Sequence, residues 1–183
     1  MMQEVKRIVL PADVSQLSDL RAGDPVVLDG TIYTMRDAGH ARALEYLDEN
    51  GELPFGFAGQ ALFYAGPTPA AAGRPLGSVG PTTASRMDFA SPALYEAGIT
   101  LTLGKGSRSE EVREACKKFG TVHLTAVGGV AALLATHVIS AETVAWEDLG
   151  AEALRKLELK DFPAFVAIDS LGNDIFEDVA GGR

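Results

Sequence analysis

"ITLTLGKG" (99–106), "SRSEEVREACKKFG" (107–120) and "TVHLTAVGG" (121–129) follow one another without a break, and together they decide the fold. The first alternates apolar and polar residues, as a half-buried strand does, and stops at a glycine pair flanking Lys105. The second is the clearest helix in the chain. Ser107 stands at capping-box spacing from Glu110, and Gly120 is placed to close the helix. The third is a strand that runs into a diglycine. Strand, helix and strand in direct succession predict neighbouring, partly parallel strands with a helix packed across them.

The same alternation extends in both directions. "DPVVLDGTIYT" (24–34) reads as a strand with a break near Gly30, and "RDAGHARALEYLDEN" (36–50) as a helix with Asp37 in its first turn and Gly51 at its end. "ALFYAGP" (61–67) is a short apolar strand stopped by Pro67, and "TPAAAGRPLGSVGPTT" (68–83) is loop by its proline, glycine and small-residue content. Ser91 to Ala97 predicts a short helix ended by Gly98, and "VAALLATHVI" (130–139) a tightly packed helix of small residues. "FPAFVAIDSLGNDIFED" predicts a β-hairpin turning at Leu171–Gly172–Asn173. The expectation is an α/β sandwich forming one domain over residues 1–183, with no internal repeat.

Composition narrows the function. The 183 residues are 46% hydrophobic and 22% charged, enough for a core. The formal charge of −9 argues against nucleic-acid binding, which needs a basic surface. No segment reaches the roughly twenty apolar residues of a membrane helix, and the N-terminus does not read as a signal peptide. A cytoplasmic protein without membrane or nucleic-acid partners is expected. The single cysteine, Cys116, excludes an internal disulfide and any cysteine-based cluster built from this chain alone. It reads as a packed helix residue.

Three polar, glycine-flanked spots fall at predicted strand ends: Thr34–Arg36, Gly80–Arg86, and Gly104–Gly106 around Lys105. Each carries one cation. Brought together, Arg36, Arg86 and Lys105 would hold a small dicarboxylate, because a guanidinium reads a carboxylate through a two-pronged fork. His40 lies four residues from Arg36 on the same helix face, placed to polarise a ligand oxygen or relay a proton. His123 and His137 read as structural. The histidines lack zinc spacing, and no GxGxxG, P-loop or GxSxG pattern is present.

Read together, "GDPVVLDGTIYTMRDAGHARALE", "GPTTASRMD", "LGKG" and "VGGVAALLA" resemble the β subunit, or C-terminal domain, of the class I iron–sulfur hydro-lyases. These are the class I fumarate hydratases and the L(+)-tartrate dehydratases. The resemblance runs from about Leu20 to the C-terminal hairpin. It implies a swivelling β/β/α fold and an α subunit that carries a 4Fe-4S cluster through three cysteines. It also implies an α2β2 heterotetramer and water addition or removal on a C4 dicarboxylate, fumarate/malate first and L(+)-tartrate as the alternative. This chain would bind no cofactor by itself.

By the same resemblance, Arg36, Arg86 and Lys105 would hold substrate carboxylates and Thr82 would be the base or proton relay. Thr83 would anchor the turn or bind a carboxylate oxygen. His40 matches the motif histidine, and Asp37 and Asp88 would orient the arginines. Two positions depart from the family pattern: Ser85 replaces the usual glycine, and Gly39 a common alanine. Ser85 bears on substrate identity. Gly39 is expected to cost up to ~1 kcal/mol of helix propensity without touching the chemistry. A reading from a different class stays open, a non-catalytic carboxylate-binding regulatory module.

Overall fold

The computed structural model describes residues 4–53, 56–57 and 59–180. Seven strands form one mixed sheet: β1 (Lys6–Leu10), β2 (Pro25–Thr34), β3 (Ala61–Phe63), β4 (Leu101–Gly104), β5 (Val122–Thr125), β6 (Val138–Ala145) and β7 (Leu154–Ile168). The order is β1-β2-β3-β4-β5-β7-β6, with β2 also paired to β7. That extra pairing is antiparallel and runs from Pro25–Phe165 to Thr34–Arg155, with a register shift between Leu28 and Gly30. It closes β2-β3-β4-β5-β7 into a small barrel. The expected α/β character holds, but the sheet is not the open layer of a sandwich. The long strand β7 supplies the closing edge, and only its second half, from Phe162, falls within the tail that reads as a hairpin.

Side-chain alternation fills two cores. Leu28, Phe63, Leu101, Leu103, Leu124 and Phe162 belong to the core enclosed by the sheet. The alternate positions Leu62 and Tyr64 belong to a second core. There they meet α2 (Asp37–Asn50), α3 (Ser91–Glu96) and α4 (Glu110–Phe119) through Ala43, Leu94, Tyr95, Val112 and Cys116. This is the two-step periodicity of strands used on both faces. Among the described residues no helix is long and apolar enough to cross a membrane.

Two local expectations are corrected. The cap of α4 is Ser109, whose Oγ accepts from Val112 N, not Ser107. Ser107 and Arg108 stay outside the helix because Arg108 is drawn into a buried network. The tail turn exists: Gly172 has φ +84°, and the Asp169 carboxylate accepts the N–H groups of Leu171 and Asn173. Beyond an isolated Ile168–Asp174 bridge, however, the chain winds into helix α6 (Ile175–Ala180) rather than a second strand. The small-residue helix is α5 (Ala131–Ala135), and the residues from Val138 onward open β6.

Gly39 also departs from its expectation. Helix α2 is fastened to the 3-10 segment Glu147–Glu152: Ala38 N donates to Glu152 Oε2 at 2.7 Å, and Arg42 Nη1 reaches both Asp148 carboxylate oxygens at 2.8 Å. A Cβ at position 39 would lie 2.9 Å from the Glu152 carbonyl oxygen and 2.8 Å from Met35 Cβ. Backbone, not a flexible side chain, is in the way. Gly39→Ala is therefore expected to destabilise despite its gain in helix propensity. Overpacking costs about 1–3 kcal/mol against a gain of up to ~1, so the melting temperature should fall by a few degrees. A rise in melting temperature by differential scanning calorimetry would show that the helix can move away from Glu152 without cost.

Candidate active site

β2, β3, β4 and β5 run parallel to one another, so their C-terminal ends share one rim of the barrel. Each end feeds a segment of the site, the usual location of ligands in α/β folds. Arg36 and Asp37 follow β2 at the start of α2. Tyr64 to Gly66 follow β3, Lys105 follows β4, and Val127 to Gly129 follow β5.

The stretch Gly80–Asp88 is inserted where β3 and β4 part. Thr82 N donates to Tyr64 O at 2.7 Å, Lys105 N to Thr82 O at 3.1 Å, and Ala84 N to Lys105 O at 2.8 Å. Thr83 and Lys105 thus form a parallel bridge. The chain then tightens into the 3-10 turn Ala84–Met87, which carries Arg86. The insertion needs Gly104, where a Cβ would fall 2.9 Å from both Ala84 Cβ and Tyr64 Cδ2.

Arg36 and Arg86 meet on this rim, and Lys105 leaves the same rim from the end of β4. Arg86 Nε donates to Asp37 Oδ1 at 2.8 Å, and Arg36 Nε lies 3.9 Å from Asp37 Oδ2, in ion-pair range without a hydrogen bond, so one carboxylate faces both arginines. The Arg36 stem crosses Gly66, where a Cβ would come within 3.0 Å of its Cδ. Lys105 extends toward the diglycine after β5, its Nζ 4.0 Å from a Cβ position on Gly128. Arg36, Asp37 and Arg86 remain 26%, 32% and 47% exposed, within reach of a ligand. Thr82 is partly and Thr83 fully at the surface, and Ser85 is exposed beside Arg86.

His40 is placed differently. It is fully buried, and its Nδ1 lies 2.8 Å from Arg36 O. A carbonyl only accepts, so Nδ1 carries the proton and Nε2 presents a lone pair, which has no partner. Burial pushes its pKa down to about 4, so the ring is neutral at physiological pH. Its direct contact is with the backbone that presents Arg36.

Asp88 contacts neither Arg36 nor Arg86. Its Oδ1 accepts from Arg108 Nε at 2.6 Å and its Oδ2 from Ser109 N at 2.7 Å. Arg108 was not singled out by the sequence, although its side chain is completely buried. Its Nη2 donates to Ser91 Oγ at 2.6 Å, and its Nη1 to His123 Nδ1 at 3.1 Å and toward Tyr64 OH at 3.5 Å. The guanidinium carbon sits 5.2 Å from the Tyr64 ring centre. His123 Nδ1 must accept here, so its proton is on Nε2. Thr102 Oγ1, 2.8 Å from the same nitrogen, links it to Tyr95 OH at 2.7 Å. One signal did exist in the sequence. A cation just ahead of a helix N-terminus opposes the helix dipole, so Arg108 required another partner.

The residues of this chain do not fit an iron–sulfur cluster. Cys116 is buried in the helical core, and among the described residues no group of three or more His, Cys, Asp or Glu side chains is arranged to hold a metal ion.

The buried histidines make stability pH-dependent. His40 has a folded pKa of about 4 against its ordinary 6.5, and burial and Arg108 hold His123 well below 6.5. Below pH 6.5 the unfolded chain takes up protons that the folded chain refuses, so stability falls as pH drops toward 4. Each histidine contributes a slope of about 1.4 kcal/mol per pH unit in that window. Asp13 and Asp29, held below the usual 3.8 chiefly by hydrogen bonds, add their effect only at lower pH. Urea midpoints at pH 7, 6 and 5 should fall steadily, and His123→Asn should remove about half of the slope. An unchanged slope in that variant would assign acid unfolding to other groups.

A family model described as fumarase C-terminus matches residues 1–179. The chain is 43% identical over 168 residues to "Fumarate hydratase class I, anaerobic" of Escherichia coli (strain K12), covering 91% of this chain and 31% of that protein. It is 42% identical over 163 residues to "Fumarate hydratase 2" of Leishmania major, covering 88% and 29%. It is 37% identical over 175 residues to "L(+)-tartrate dehydratase subunit beta" of Escherichia coli (strain K12), covering 93% and 86%. The chain therefore spans less than a third of the length of these fumarate hydratases and most of the length of the tartrate dehydratase subunit. On the match of the family model over residues 1–179 and the identity to these relatives, the chain belongs to the fumarase C-terminus family.

Proposed function

We propose that this chain is the β-type unit of an iron–sulfur hydro-lyase that reversibly adds or removes water on a C4 dicarboxylate, fumarate/malate in the first place. The observation that carries this reading is the pair of arginines on one rim, Arg36 and Arg86, both within ion-pair range of Asp37 and both still exposed to a ligand. Arg36 and Arg86 bind carboxylates through their forks, with Asp37 facing both, and Lys105 adds a point charge. Thr83 contributes a hydroxyl to a carboxylate oxygen or to the turn. When a proton leaves the carbon beside a carboxylate, negative charge spreads onto that carboxylate. Cations already fixed in place stabilise it without reorganisation.

Thr82 is the residue for that proton, as base or relay. A threonine hydroxyl is a poor base alone and needs a relay, and the backbone bond from Lys105 N to Thr82 O fixes Thr82 at the end of β4. His40 supports the site as a neutral ring whose Nδ1–H donates to the Arg36 carbonyl and so holds the Arg36 backbone.

The cluster, for which this chain has no fitting ligands, is assigned to an α subunit, and the assembly to an α2β2 heterotetramer. Residues 1–183 are taken as one domain of the swivelling β/β/α type that closes over that subunit. Exposed apolar side chains next to the site suit such a partner: Phe89 follows Asp88, Val127 precedes the diglycine near Lys105, and Leu133 lies in the helix whose Ala131 meets Gly80. A second reading, the β subunit of an L(+)-tartrate dehydratase, is favoured by the 86% coverage of that relative.

Anaerobic co-expression with an α partner, followed by turnover of fumarate, malate and the tartrate stereoisomers, tests the reading. The assembled protein should turn over one of them and the chain alone none. Arg86→Ala should lower kcat/KM by about 10²–10³-fold, the usual effect of removing one transition-state charge contact, with the far-UV spectrum unchanged. Turnover by the chain alone would overturn the reading. Carboxylate binding by an inactive complex would favour the regulatory module.

A further inference from the structure

We propose that Arg108 is a positioning residue that sets the place of Arg86 through Asp88. The proposal rests on the reading above in one respect, that Gly80–Asp88 is a substrate-binding stretch. This stretch is held at two ends. At its start, backbone hydrogen bonds from Thr82 and Ala84 splice it between the ends of β3 and β4. At its finish, the only acidic side chain, Asp88, is held by Arg108 Nε and Ser109 N. Arg86 lies between them, on a 3-10 turn whose internal bonds, Arg86 N to Thr83 O and Asp88 N to Ser85 O, are 3.3 and 3.2 Å long. Such a turn has no rigidity of its own, so its orientation depends on its anchors.

Arg108 is built as the second anchor. Its planar fork is completely buried and faces Asp88, Ser91, His123 and Tyr64 at once. Ser91 Oγ in turn donates to Met87 O at 2.9 Å, so the guanidinium holds two consecutive residues of the stretch, Asp88 directly and Met87 through Ser91. Arg108 has no route to a ligand on the rim, so it acts through the residues it holds.

The test uses the full chain, alone and assembled with an α partner, in the variants Arg108→Lys, Arg108→Met, Asp88→Asn and the double Arg108→Met/Asp88→Asn. In hydrogen–deuterium exchange on the chain alone, the amides of Arg86, Asp88 and Ala90 should exchange at least tenfold faster in Arg108→Met and Asp88→Asn. Those of β7 should be unchanged. In the assembled enzyme, kcat/KM should fall at least thirtyfold in Arg108→Met and in Asp88→Asn, and the double variant should be no worse than the poorer of these two. Arg108→Lys, which keeps the charge but not the fork, should recover part of the activity. Should Arg108→Met fail to fold, Asp88→Asn carries the test, since the guanidinium keeps its other partners. Uniform acceleration of exchange across the chain, an unaltered 86–90 segment, or additive losses in the double variant would each overturn the proposal. If the assembled wild-type protein is inactive, the proposed reaction fails and the exchange pattern alone decides the role of Arg108.

Discussion

The pairing of β2 with β7 is the constraint on which the rest of this molecule depends. Both are long strands, and their antiparallel ladder from Pro25 to Thr34 closes the sheet. Closure removes two edges and encloses an apolar interior lined by Leu28, Phe63, Leu103 and Phe162. It also fixes the direction of everything between. With β2, β3, β4 and β5 parallel, their C-terminal ends must lie on one rim, and segments far apart in sequence are brought to the same place. Arg36 and Arg86 are separated by half a hundred residues in the chain, yet they share one carboxylate.

Beneath that rim lies a polar layer that stability alone does not explain. Arg108, Asp88, Ser91, Tyr64, His123, Thr102 and Tyr95 form one hydrogen-bonded network on the helical face of the sheet. Removing a guanidinium from water is expensive, and a buried ion pair often stabilises no more than apolar residues of the same volume. What apolar packing does not provide is direction. Arg108 meets four partners along fixed vectors, and the turn bearing Arg86 is oriented as a consequence. The histidines fit the same account, because Arg108 helps to keep His40 and His123 neutral. As neutral rings they pack against Tyr64, from the edge and by stacking, without adding uncompensated charge.

Much of this arrangement was legible in the sequence where local rules operate. Gly51 and Gly120 close α2 and α4 in the left-handed conformation, as glycines after helices do. The alternation in "ITLTLG" and "TVHLT" places Leu101, Leu103, Val122 and Leu124 in one core. The three cation-bearing spots were found because glycine and polar residues at strand ends are a local signal. What escaped is non-local. The closing role of β7 depends on β2, more than a hundred residues earlier. The second arm of the expected hairpin became α6 because Asp169 takes up the turn's amides itself and leaves one bridge before the helix. Gly39 looked like a propensity defect only because propensity does not register Glu152 across the helix. Arg108 reads as one more cation in "GKGSRSEE" until Asp88 and Ser91 are placed against it.

A chain of net charge −9 that concentrates cations on one rim is subject to a further physical limit. At physiological ionic strength the screening length is about 8 Å, so these cations are felt only near contact, and the acidic remainder of the surface gives no long-range attraction to an anion. A long polyanion would pass beyond this patch into repulsion. A small dianion would not, since both of its charges fit within the patch. Recognition of such a ligand must then come from contact geometry rather than from steering. Two of the three cations are arginines, whose planar forks match carboxylates. Asp37 faces both arginines, and the network under the rim fixes the turn that carries one of them. In a site whose charge acts only at short range, the accuracy of that placement determines how much of the charge reaches the ligand.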